Sequence, residues 1–352
     1  MKKFIVLLIA MLFTFSLYGC SSTPKDSNQA DKAAADNSQA QGKITYIKAN
    51  GTGVSGLHYA MMVGLSDLLN KKIPDVKASP GTSAGDLENI NLLDQGKIQL
   101  APAKGVIAYE ALTGAGQYNG QKGKDIYALG TFNNSFENVF ALKSANVNKA
   151  SDLKGKRIGL GPKGGFSFIA GEMWLQSHGI DPVKDIKPFY VKEGEMVEML
   201  KDGQLDAGMW QAGIGIGSLQ DLTSTKDIVF IEPEEAAVKK MLERWPSGSI
   251  GILPANSYKG QDKDVKMFET RNILLVTGKL DDKMTYEITK NMWDNMDYLQ
   301  GVSVGWKDVT WEKGLDGISI PLHPGALKYY QEKNHPGLQK LKDATKNVTK
   351  KS

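Results

Sequence analysis

Residues 157–179 read RIGLGPKGGFSFIAGEMWLQSHG. A short apolar run at 157–160 ends in a loop carrying Gly161, Gly164 and Gly165. That loop opens into 166–178, where apolar residues recur at helical spacing until Gly179 stops them. Strand, glycine loop and helix in this order form the unit of α/β folds with largely parallel strands. The same unit stands earlier in the chain: 44–49 reads as a strand, GTGVSG at 51–56 as the loop and 57–70 as the helix. The units continue alike, since LLDQGKIQLA at 92–101 answers MLKDGQLDAG at 199–208, so the chain reads as two similar halves.

Working outward, 76–79 and 98–101 complete the first half as strands. Ser83 is expected to cap the helix between them, with Asp86 at the capping-box spacing. In the second half 193–202 is a helix closed by Gly203, and 205–210 a strand. An extended segment at 136–143 carries the chain from the first half to the second; strands at 249–253 and 266–277 carry it back, and 281–299 follows as one long amphipathic helix. Two crossings predict an α/β fold of two lobes joined by a hinge, with a ligand cleft between them. The boundaries expected are 43–135 for the first part of lobe 1, 136–250 for lobe 2 with the hinge crossings, 251–345 for the return to lobe 1 with C-terminal helices, and 346–352 for a basic tail.

The beginning of the chain reads as an address. Met1, Lys2 and Lys3 are followed by an apolar run at 4–13 and then by Leu17-Tyr18-Gly19-Cys20, so 1–19 reads as a lipoprotein signal peptide and Cys20 as the lipidation site. Residues 21–42 contain no Val, Ile, Leu, Met or aromatic residue and read with Cys20 as a disordered tether. The expectation is an exported protein, lipid-anchored to the membrane and facing the periplasm or cell exterior. A net charge of +4 spread over 352 residues excludes nucleic acid as the obvious partner, and a single cysteine excludes a disulfide framework.

Three motifs invite other readings. Gly51-Thr52-Gly53-Val54-Ser55-Gly56 fits the dinucleotide pattern GxGxxG, but Ser79-Pro80-Gly81 stands where the acidic ribose contact belongs. The loop serves better as a cradle of backbone N–H groups for a carboxylate or phosphate. Gly81-Thr82-Ser83-Ala84-Gly85 fits GxSxG, the serine-nucleophile turn of hydrolases, for which His323 is the histidine in the right chain order. The four histidines are scattered, and no metal constellation is expected.

Longer segments carry a family resemblance. GDLENINLLDQGKIQLA at 85–101, SDLKGKRIGLG at 151–161, LPANSYKGQDKDV at 253–265 and IPLHPGALKYYQEK at 320–333 resemble, in order and spacing, the TAXI-type extracytoplasmic solute receptors of TRAP (tripartite ATP-independent periplasmic) transporters. The resemblance implies a type II periplasmic-binding-protein fold, closure on a small solute, delivery to TRAP membrane subunits and no cofactor. It also implies a structural C-terminal segment around His323. The chain departs from the family at Lys104-Gly105, at Gly164-Gly165-Phe166-Ser167 and at Trp210-Gln211, which points to a solute with an anionic group and an apolar or planar part.

Loops after the strands converge on the cleft in such folds. The residues expected to bind the solute, an organic anion or amino acid, are Thr52, Gly53, Ser55, Thr82, Ser83 and Lys104 from lobe 1. From lobe 2 they are Gly164, Gly165, Phe166 and Ser167, with Trp210 as a wall and Gln211 as a polar contact. The expected protein is a monomeric receptor without catalysis; an ABC-type substrate-binding protein and a secreted serine hydrolase using Ser83 are the alternatives.

Overall fold

The structure, a computed structural model, describes residues 44–54 and 56–349. The signal segment, Cys20, the tether and Ser55 lie outside the described residues. The first α/β units are β1 Thr45–Asn50, α1 Leu57–Lys72, β2 Val76–Gly81, α2 Asp86–Asp94, β3 Leu100–Lys104 and α3 Gly105–Thr113, followed by the long strand β4 Ile126–Leu142. Then come β5 Arg157–Leu160, α4 Phe166–Ser177, β6 Lys187–Tyr190, α5 Glu193–Lys201, β7 Ala207–Ala212, α6 Gly217–Thr225, β8 Ile228–Phe230 and α7 Glu235–Arg244. The chain finishes with β9 Ser249–Leu253, β10 Val265–Thr277, α8 Asp282–Asp294, α9 Met296–Val302, α10 Pro324–Glu332 and α11 Leu338–Thr349.

One sheet runs through both lobes in the order β2-β1-β3-β10-β4-β7-β5-β6, with β9 added to β10 and β8 to β4. β1 pairs in parallel with β2 and β3, and β5 in parallel with β6 and β7, as the two sequence halves imply. Only β4 and β10 are long enough to belong to both lobes. The first part of β4 pairs with β10 and its last part with β7 and β8; the end of β10 pairs with β3 and its beginning with β9. Their mutual register shifts between Arg271 and Ile273 and again between Leu274 and Leu275, and irregularities of this kind bend strands. The crossing strand therefore starts earlier than position 136.

One apolar cluster runs through both lobes, taking in Ile47 and Ile158, and a second gathers around Phe140 and Trp210. In lobe 1 Phe132 meets Trp306 edge-to-face at 4.9 Å, both fully buried. In lobe 2 Phe140 meets Trp210 in the same way at 4.8 Å. Burial of such side chains stabilises by roughly 1.5–3 kcal/mol each.

Two local expectations need correction. The single helix at 281–299 is two helices, because Asn295 leaves the helical region (φ −127°, ψ 33°) and turns its Nδ2 back onto the Asn291 carbonyl. Ser83 does not cap α2: the capping position is Gly85, while Ser83 Oγ donates to the Gly51 carbonyl at 2.9 Å and ties two loops together. The first loop needs glycine for space, since a Cβ at Gly51 would stand 2.5 Å from the Tyr59 Cα.

Candidate functional site

A cavity of about 480 Å³ lies between the lobes, where residues at the starts of α1, α2, α3 and α4 meet. His58, Asp86, Lys104 and Phe166 represent the four helices in its lining. None of the four helices carries a side-chain cap on its N-terminus. First-turn N–H groups and positive helix-dipole ends favour an anion. A second cavity of about 530 Å³, lined by Phe136 and Arg271, opens behind the hinge. Adjacent strand residues point to opposite faces, so Arg271 lines the rear cavity and Asn272 the front one. The buried Arg271 is already paired with Glu269 at 3.1 Å.

Lys104 is the decisive side chain. It ends β3, caps α3 by position and is only 8% exposed. Among the described residues its ammonium has no carboxylate within ion-pair distance; its nearest recorded partner is the Phe166 ring of lobe 2, 4.6 Å from Nζ to centroid. Burial pulls its pKa below the usual lysine range, and the charges of Asp86 and Glu137 oppose that only in part. A buried ammonium without an anion is costly. An anion arriving in the cavity removes that cost.

Behind Lys104 lies a polar network at the strand crossing. Glu137 on β4 is 2% exposed; burial pushes its carboxyl up to about 8, opposed by the Gln211 hydrogen bond and by Lys104. Gln211 Nε2 donates to Glu137 Oε2 at 3.0 Å, Thr270 Oγ1 donates to Gln211 Oε1 at 3.1 Å, and the Gln211 N–H donates to Ser167 Oγ at 3.2 Å. On the cavity side His58 Nε2 stands 3.0 Å from Asn133 Oδ1, and burial holds its pKa below the ordinary histidine value. Asn272 donates Nδ2–H to the Asn133 carbonyl at 3.3 Å, leaving its buried Oδ1 without a partner among the described residues.

Of the residues expected from the sequence, Thr52, Lys104, Gly164, Gly165 and Phe166 line the cavity. Ser167 and Gln211 stand one layer back in the network just described. Gly53 and Thr82 are exposed outside the lining, and Ser83 is spent on the loop-to-loop bond. Trp210 is not a wall: it is 2% exposed and packs in the lobe 2 core, because β7 turns this side chain toward Phe140. His58, Asp86, Gln117 and Asn272 line the cavity without having been singled out. The signal for His58 was its place in the first helical turn after the GTGVSG loop; a buried asparagine inside a hinge strand gives none. The proposed hydrolase histidine, His323, caps α10, accepting from the Gly325 N–H through Nδ1 while Nε2 bonds the Leu280 carbonyl at 3.0 Å. Among the described residues no group of three or more His, Cys, Asp or Glu is placed to hold a metal, and no helix is long and apolar enough to cross a membrane.

Residues 50–333 match the NMT1-like family. The chain belongs to that family. Solved structures of the same architecture include PhnD1 from Prochlorococcus marinus in complex with methylphosphonate, at TM-score 0.52 and 11% identity, covering 82% of this chain and 98% of that one. XAC2383 from Xanthomonas citri, solved with chloride and with ATP, matches at TM-score 0.50 and 11% identity, covering 87% of this chain and 99% of that one in the chloride form. The periplasmic aliphatic sulphonate binding protein SsuA from Escherichia coli matches at TM-score 0.42 and 14% identity, covering 87% of this chain and 81% of that one. The NMT1-like chain thus shares the fold of PhnD1 and XAC2383, two α/β lobes on one sheet.

Proposed function

We propose that this NMT1-like protein is an extracytoplasmic receptor that closes its lobes on a small organic anion or amino acid and delivers it to a membrane transporter. The observation that carries the reading is Lys104: a buried cation without an anion among the described residues, facing a cavity ringed by four helix N-termini. Asp86 and the Asn272 acceptor in the same lining suit a solute that also bears a donor, such as an ammonium or hydroxyl group. The chain belongs to the NMT1-like family, and within this proposal an ABC-type transporter is the partner we favour over TRAP membrane subunits. Export with a lipid anchor on Cys20 belongs to the same proposal, as does binding without catalysis. The engagement of Ser83 and of His323 elsewhere in the fold argues against a hydrolase.

The test is a thermal-shift screen of small carboxylates, phosphonates, sulphonates and amino acids. A true solute raises the melting temperature with concentration, by RT ln(1 + [L]/Kd) in free energy. Labelling of Ser83 by an active-site serine probe, with no compound stabilising the fold, would overturn the reading.

A further inference from the structure

The lobes also touch at a place outside the cavity lining. Trp245, which follows α7 in lobe 2 and is fully buried, donates Nε1–H to Glu110 Oε1 on α3 of lobe 1 at 3.3 Å. The same indole stacks on Phe166, with centroids 5.3 Å apart and planes 18° from parallel. Phe166 in turn receives Lys104 Nζ. Lys104 and Glu110 flank the first turns of a single helix, so the contacts form a circuit that crosses the lobe boundary twice.

Glu110 is 4% exposed, and its surroundings are built around it. Burial pushes its carboxyl pKa up, opposed first by the Trp245 hydrogen bond, then by the charge of Arg244 and by a backbone hydrogen bond at Gln117. Gly116 has φ 54°, and a Cβ there would come within 2.3 Å of the carboxylate oxygen, so only glycine lets this loop fold over Glu110. The next residue, Gln117, lines the solute cavity, whereas Glu110 and Trp245 do not. A buried acceptor and a buried indole N–H that complete each other only when the lobes are together favour the closed arrangement, since separation leaves each to find water.

We propose that the Glu110–Trp245 hydrogen bond is an interlobe latch that sets how much of the solute-free protein is closed. Neither of its two partners lines the cavity. Apparent affinity for any solute scales with the competent fraction, so the latch would tune capture without touching the solute. A hydrogen bond of ordinary net strength corresponds to about a tenfold change in the open-to-closed ratio.

The experiment is small-angle scattering on the solute-free full chain, with Trp245→Phe removing the donor together with part of the buried ring, Glu110→Ala removing the acceptor and Glu110→Gln keeping an acceptor oxygen. Circular dichroism and cooperative melting check that each variant is folded. Trp245→Phe and Glu110→Ala are expected to give a larger radius of gyration, while Glu110→Gln stays as compact as the parent. If Glu110→Ala does not fold, Trp245→Phe decides alone. Parental compactness in Trp245→Phe, or Glu110→Gln opening as far as Glu110→Ala, overturns the latch.

Discussion

Lys104 of lobe 1 holds its ammonium 4.6 Å from the centre of the Phe166 ring of lobe 2. A cation–π contact of this kind contributes about 0.5–2 kcal/mol, less than a desolvated ammonium loses by leaving water. The contact therefore steers the side chain without satisfying it. An anion between the lobes would satisfy it, and because Lys104 and Phe166 belong to different lobes the gain is largest in the closed form. Differential affinity of this sort is what lets a solute shift the population toward closure.

Lys104→Met should separate stability from binding. Replacing a buried charge by an apolar side chain of similar length is neutral or stabilising, by up to about 4 kcal/mol. The solute-free variant should therefore melt at the same temperature as the parent or higher. Anions that stabilise the parent should lose their effect on it. Calorimetric titration checks both halves; retained anion affinity would remove Lys104 from the site.

Glu137→Gln should flatten the pH dependence of stability. The carboxyl has a folded value of about 8 against an ordinary value of 4.5. Between these values the folded chain holds a proton that the unfolded chain has released, so this group's contribution is full below 4.5, falls as pH rises and levels off above about 8. Urea unfolding of parent and variant across this range checks the sign, because titrating groups not coupled to Glu137 cancel in the difference. A parent that grows more stable relative to the variant as pH rises contradicts the burial argument.

The lobes were legible because strand, glycine loop and helix leave local marks, and the halves repeat them. The parts that failed depend on long-range geometry. Trp210 and Gln211 are neighbours on β7, yet one enters the core and the other the network, since a strand sends successive side chains to opposite faces and the sequence pattern did not say which face was which. Asn272 and Glu137 lie inside long crossing strands, and their roles follow from which residues the register brings beside Lys104. The break at Asn295 left no proline or glycine to mark it.

Trp210→Ala tests the corrected placement. With the side chain packed on Phe140, truncation should cost about 3–5 kcal/mol through lost packing and a cavity, read by chemical denaturation. Below the unfolding transition the folded variant should bind solute as the parent does. A loss of affinity with unchanged stability would return Trp210 to the cleft wall.

Asn272 stands directly opposite Lys104 in the register of β10 and β3, and both line the cavity. Its Nδ2 is anchored on the Asn133 carbonyl, so the amide orientation is fixed and Oδ1 remains as an acceptor beside the cation. A solute that places a donor next to its anionic group would satisfy both residues at once. Asn272→Leu keeps the volume and removes the acceptor: solute-free stability should change by no more than about 1 kcal/mol, because an unmet acceptor is lost along with one hydrogen bond, while affinity for such a solute should fall about tenfold. Asn272→Asp should act more severely, supplying Lys104 with a carboxylate of its own and competing with any incoming anion. Titration of both variants with the best stabilising compound separates the cases. If Asn272→Asp binds anions as tightly as the parent, the cation opposite it is not where the solute's charge goes.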